Sequence, residues 1–141
     1  MKKNVLIIGA GAQGNVISGV LSEAEDVGSL VLGDIDAERA REVAEFVNPD
    51  RIEGIRIDAS NVEEMTSLIT SGNHDLVVNA TLTDFNRSIL QAAVNAKTNY
   101  LDMASDEYLE ATTPETIQDE FLVEQLEWAE AFEKIGKVAL I

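Results

Sequence analysis

Short apolar runs alternate with amphipathic stretches along the whole chain. Val5–Ile8 has no polar position, is rich in β-branched residues and ends at Gly9, the pattern of a strand buried on both faces of a parallel sheet. Ser29–Gly33, Ile52–Ile57, Asp75–Ala80, Asn99–Met103 and Val138–Ile141 predict further strands. Between them, apolar residues recur at helical spacing: Val16, Ile17, Val20 and Leu21 in Gly14–Ala24, then Ala40, Val43, Ala44 and Val47 in Asp36–Val47. Asp36 is placed to cap the second of these helices and Pro49 to end it. Asn61–Ser71 predicts a helix with Asn61 as cap, Glu64 at the capping-box position and Gly72 after its end. Phe85–Ala96 predicts another, with Ile89, Leu90, Ala93 and Val94 buried. After a loop at Ala111–Pro114, Thr116–Lys134 predicts a long helix with Phe121, Leu122, Leu126, Ala129 and either Trp128 or Phe132 inward, broken by Gly136.

Strands alternating with helices define an α/β fold, a doubly wound parallel sheet of about six strands with helices on both faces. The 141 residues amount to one domain, 1–141. The last predicted strand begins where the chain ends, and a buried strand needs a turn or helix to cover it. The expectation is therefore an N-terminal part of a longer, two-domain protein.

The first turn carries the chemistry. Gly9-Ala10-Gly11-Ala12-Gln13-Gly14 is a G-x-G-x-x-G that follows a strand and opens a helix, the context that lifts the motif above a chance match. Gly9 permits the tight turn, Gly11 lets a pyrophosphate approach the backbone, and Gly14 lets the helix pack on the strand. Ala12 keeps the turn small and Gln13 is placed at the pocket mouth. The helix N-terminus offers free N–H groups to an anion. Asp34 lies twenty residues after Gly14, where an acid accepts from the adenosine ribose hydroxyls and repels a 2′-phosphate. The next residues are Ile35 and Asp36 rather than arginine, which favours NAD over NADP, although Arg39 and Arg41 are within reach from the helix. Together these features predict a Rossmann-type dinucleotide site.

Asp58 and Ala59 follow the third strand, and Asn79, Ala80 and Thr81 the fourth, where ligands of open α/β sheets sit. These residues also suit ordinary turns, so ligand contact and turn chemistry both stand. Asp102, inside an apolar run, either contacts substrate or the nicotinamide ribose, or bonds to backbone amides. His74, the single histidine, is placed in a surface loop at the far end of the sheet and is no candidate base. No catalytic residue is identified.

Composition narrows the partners. The net charge of −16 argues against nucleic acid and anionic membranes, both of which call for Lys/Arg stripes. Asp106–Glu133 has many acids and no Lys or Arg, either a solvated face or a docking surface for a basic partner. With no cysteine and one histidine, neither a thiolate nor a multi-histidine metal site is available. No run approaches the ~20 apolar residues of a membrane span. The expected location is the cytoplasm.

Val5–Gly11, the Gly33-Asp34 turn, Asp58, Asn79-Ala80-Thr81, Asn86–Ala93 and Tyr100-Leu101-Asp102 together resemble the N-terminal cofactor domain of saccharopine dehydrogenase-like proteins. The resemblance implies hydride transfer between a nicotinamide cofactor and an amino-acid-derived amine or imine. It also implies a second domain that holds much of the substrate site, so the chain alone binds cofactor without turning over substrate. Oligomeric state is left open, a homodimer included. A member with Asp34 where others carry arginine departs from the NADP-using pattern. The competing reading is a non-catalytic NAD-sensing module of the potassium-transport type, which shares the glycine motif, the ribose acid and Asp58-Ala59. A third is a Rossmann scaffold that has lost its ligand.

Overall fold

A computed structural model describes residues 1–103 and 127–141. The strands are β1 (Lys3–Ile8), β2 (Val27–Asp34), β3 (Ile52–Arg56), β4 (Leu76–Asn79), β5 (Asn99–Asp102) and β6 (Ala139–Leu140). The helices are α1 (Ala12–Ser22), α2 (Ala37–Val47), α3 (Val62–Ser71), α4 (Asn86–Ala96) and α5 (Ala129–Ile135), with a 3-10 turn at Thr83–Phe85 before α4. Among the described residues the strands form one parallel sheet in the order β3-β2-β1-β4-β5-β6. Strand order therefore reverses at β1, and such a reversal opens a crevice at the carboxyl ends of the strands.

Two cores hold the layers. Leu6, Ile8, Val31 and Val77 pack with Met65 and Ile69 of α3, Ile89, Leu90 and Ala93 of α4, and Phe132 of α5. Val5, Ile7, Leu30 and Leu32 pack on the other face with Ala40 and Ala44 of α2 and the partly buried Ile17 and Leu21 of α1. β1 feeds both cores, which is why its apolar run shows no alternation. The predicted caps are in place: Asp36 accepts from the Glu38 and Arg39 N–H groups, and Asn61 from that of Glu64. Gly136 ends α5 at φ +66°.

Several expectations change. Val16 and Val20 do not face inward; they are 65% and 67% exposed, and α1 buries Gly14, Ser18 and Ser22 instead. The Ser18 and Ser22 hydroxyls donate to carbonyls of their own helix, so burying them leaves no polar atom stranded. Val94 is only partly buried, and Ala92 takes a core position. Glu127 and Trp128 form a turn, so helix begins at Ala129 rather than running through them, and Ala129 is exposed while Phe132 is buried. Phe121, Leu122, Leu126, the loop at Ala111–Pro114 and most of the acidic stretch lie outside the described residues. His74 is buried rather than a surface residue. It sits where Gly72 leaves no Cβ; one built there would meet its imidazole at 2.4 Å. Among the described residues no helix is long and apolar enough to cross a membrane.

Candidate functional site

A cleft of about 470 Å³ opens at the carboxyl ends of β1 to β4. Its floor is the glycine turn, with Ile8, Gly9, Gly11, Ala12 and Gln13. One side is built by Asp34, Ile35 and Arg39, with Ile57, Asp58 and Ala59 beside them. The other is built by Ala80, Thr81, Leu82 and Phe85.

The glycines divide their work by geometry. Gly9 has φ +106°, and a Cβ there would lie 2.6 Å from the Ala80 carbonyl oxygen. A Cβ on Gly14 would lie 1.8 Å from the Gly9 carbonyl oxygen, so Gly14 is buried against the turn and does not line the cleft. A Cβ on Gly11 would meet nothing within 4 Å; its missing side chain leaves space on the cleft side of the turn. Gly11 is also the N-cap of α1, without a side-chain cap bond, and the first turn of α1 carries no acid. That leaves helix N–H groups and their partial positive charge facing the cleft.

Asp34 ends β2 and is almost fully buried. Its Oδ2 accepts from the Ala10 N–H at 2.8 Å, and its Oδ1 from the Asp36 N–H at 2.9 Å. The Arg39 guanidinium pairs with the same Oδ1. Burial raises the carboxyl's pKa, but the Arg39 bond and the two N–H groups outweigh it and hold it below the ordinary carboxylate range. Asp34 thus anchors the glycine turn as well as lining the cleft, a second role the spacing alone did not reveal. Arg41 does not line the cleft; Arg39 is the cation that reaches back.

Asp58 accepts from both the N–H and the hydroxyl of Ser60, which with nearby Arg56 lower its pKa. This is turn chemistry at a residue that still borders the cleft. Asn79 differs from expectation: its side chain is buried beneath the cleft and does not line it. It bonds Asn86, Tyr100 and Thr81. Asp102 is buried beside it and accepts from the Tyr100 hydroxyl at 2.7 Å. Leu82 and Phe85 were not singled out from the sequence as cleft residues. The available signal was an apolar pair in the turn after β4, and Leu82 is 71% exposed.

The glycine turn, the acid at the end of β2 and the reversal at β1 define a dinucleotide-binding Rossmann domain. The family model for the saccharopine dehydrogenase NADP-binding domain matches residues 5–139, and the chain belongs to that family. It is 24% identical over 139 residues to a carboxyaminopropylagmatine dehydrogenase of Synechocystis, covering 97% of this chain and 33% of that protein. It is 27% identical over 108 residues to a carboxynorspermidine synthase of Vibrio cholerae, covering 70% of this chain and 26% of that protein. Among solved structures, apo saccharopine dehydrogenase (L-Glu forming) of Saccharomyces cerevisiae superposes with a TM-score of 0.72 at 16% identity, over 97% of this chain and 26% of that one. The chain thus spans about a third or less of the length of these relatives. These matches do not favour the NAD-sensing module.

Proposed function

We propose that this chain is the cofactor-binding part of an oxidoreductase acting on a C–N bond of an amino-acid-derived amine or imine, and that it prefers NAD(H). The substrate class is supported by the relatives, whose names are those of carboxylated amines. Their greater length supports a substrate site outside residues 1–141, in a second domain.

In this reading the N–H groups at the start of α1, with Gly11, Ala12 and Gln13, receive the pyrophosphate. Gly9 and Gly14 shape the turn. Asp34 and Ile35 border the adenosine ribose, and Asp58 and Ala59 the adenine side. Ala80 and Thr81 border the second ribose and the nicotinamide, with Asn79 acting from beneath. The bound cofactor donates or accepts the hydride; these residues bind and orient it.

The preference for NAD(H) rests on one observation, the buried Asp34 carboxylate at the end of β2. A carboxylate has about four acceptor positions. Three donors occupy Asp34, which leaves room for a ribose hydroxyl. A 2′-phosphate would have to compete with that carboxylate for the Arg39 guanidinium paired to it. The test is separate titration of NADH and NADPH into the wild type and Asp34→Arg. Wild type should bind NADH at least about tenfold more tightly, and the variant should reverse the order. A wild type that prefers NADPH sinks this reading of Asp34.

A further inference from the structure

We infer that Ser88, which does not itself border the cleft, is a positioning residue for it: its hydroxyl ties the Ala59 side to the Phe85 side and sets where the adenine end of the ligand is received. This rests on the dinucleotide reading above and deepens it. Its basis is a pair of carbonyl groups. Ser88 lies in the first turn of α4 and is half-buried. Its Oγ donates to the carbonyl oxygen of Ala59, 29 residues earlier in the chain, and lies 2.9 Å from that of Phe85, three residues back. Ala59 and Phe85 border opposite sides of the cleft, and both pack against the core that α3 and α4 share with the sheet. A serine hydroxyl carries one proton, and both oxygens can only accept it. The two sides of the cleft therefore share one donor.

The Phe85 bond alone is ordinary, since a helical serine often returns its proton to a carbonyl of the preceding turn. The Ala59 bond is not local. It holds the Ala59–Ser60 peptide by its carbonyl end, while the N–H end of that peptide donates to Asp58 Oδ1 at 2.9 Å. Two bonds on opposite edges of one peptide plane fix its rotation. Among the described residues no backbone N–H reaches the Ala59 carbonyl. Without the Ser88 hydroxyl that end is released, while Asp58 still holds the other.

The support comes from a fixed element. Ile89 and Leu90, next to Ser88 on α4, have no exposed surface. The loop after β3 is thus fastened to a helix anchored in the core. Groups that contact a ligand keep their place through such supporting bonds, and a loosened support weakens binding.

Titration of ADP and NADH into the 141-residue wild type, Ser88→Ala and Ser88→Thr, with a thermal melt of each, tests this. Alanine is the better helix former, so Ser88→Ala does not weaken α4 through propensity. It should lower affinity for ADP and for NADH by the same factor, about threefold to tenfold. Ser88→Thr keeps the hydroxyl and should restore both. Should Ser88→Ala not fold, Ser88→Cys, with a weaker thiol donor in the same place, carries the test and should lower both affinities at least about twofold. A lowered melting temperature with both affinities unchanged makes Ser88 merely structural and overturns the inference. A loss confined to NADH, or an equal loss in Ser88→Thr, overturns it too, while dinucleotide binding stands. A wild type that binds neither ADP nor NADH removes the dinucleotide reading itself, and the role of Ser88 with it.

Discussion

The Asp34 carboxylate accepts the backbone N–H of Ala10 at 2.8 Å, across 24 residues of chain. This bond ties the end of β2 to the glycine turn after β1, so the residue proposed to read the ribose also holds the turn proposed to bind the pyrophosphate. Removing it should be felt twice. Asp34→Ala should destabilise the fold by about 1–3 kcal/mol, because the Ala10 and Asp36 N–H groups lose a charged acceptor. Urea unfolding measures this, and a loss within about 0.5 kcal/mol of zero contradicts the anchoring role.

The same carboxylate carries a pH signature. Its folded pKa lies below the ordinary value of 3.8, so its contribution is fully present above that value and lost as pH falls through the folded pKa. Stability of the wild type should therefore drop more steeply than that of Asp34→Asn below pH ~4. Parallel slopes in thermal melts at stepped pH would contradict it.

His74 predicts a second, separate pH window. Burial lowers its pKa below 6.5, against the opposing pull of Asp75 and Glu53. The unfolded chain then binds the proton more readily. The stabilising effect is full above the unfolded value and is lost as pH falls through the folded one. Melting temperature should fall on acidification from neutrality towards pH ~5, and His74→Phe should flatten that slope. An identical slope in the variant rules His74 out as its source.

Gly11 and Gly14 should separate binding from folding. Gly14→Ala puts a methyl 1.8 Å from a carbonyl oxygen and should cost about 3 kcal/mol or more, visible as a collapsed melting transition. Gly11→Val meets no protein atom at its Cβ, so the melt should be nearly unchanged while dinucleotide affinity falls at least about tenfold. Full-strength binding by Gly11→Val removes the argument from the glycine motif.

Lys97 ends α4 in the left-handed region at φ +55°, a conformation costly for a side chain with a Cβ. Lys97→Gly should stabilise by about 0.5–1 kcal/mol after the larger chain entropy of glycine is counted. Denaturant midpoints decide it.

Much of this architecture was legible from pattern alone. β1 reads as a strand because Val5–Ile8 supplies both cores, and Asp36 and Asn61 read as caps because their side chains satisfy N–H groups the helix leaves open. What escaped depended on contacts distant in sequence. The Val16 and Val20 stripe pointed the wrong way, since hydrophobic spacing gives no weight to Gly14, Ser18 and Ser22, whose small size lets α1 approach the sheet. His74 is buried where Gly72 makes room for its ring. Asn79 sits at the strand end where a ligand contact was expected, yet its partners Asn86 and Tyr100, from α4 and β5, draw it beneath the cleft.

The close approach of Gly9 to Ala80 has an evolutionary consequence. Where those two turns meet, backbone lies against backbone with no room for a side chain. Main-chain atoms are common to every sequence, so mutation can replace nearly all the surrounding side chains without altering that part of the floor. At this contact the one side-chain requirement is a glycine at position 9, and the neighbouring side chains can vary without disturbing it.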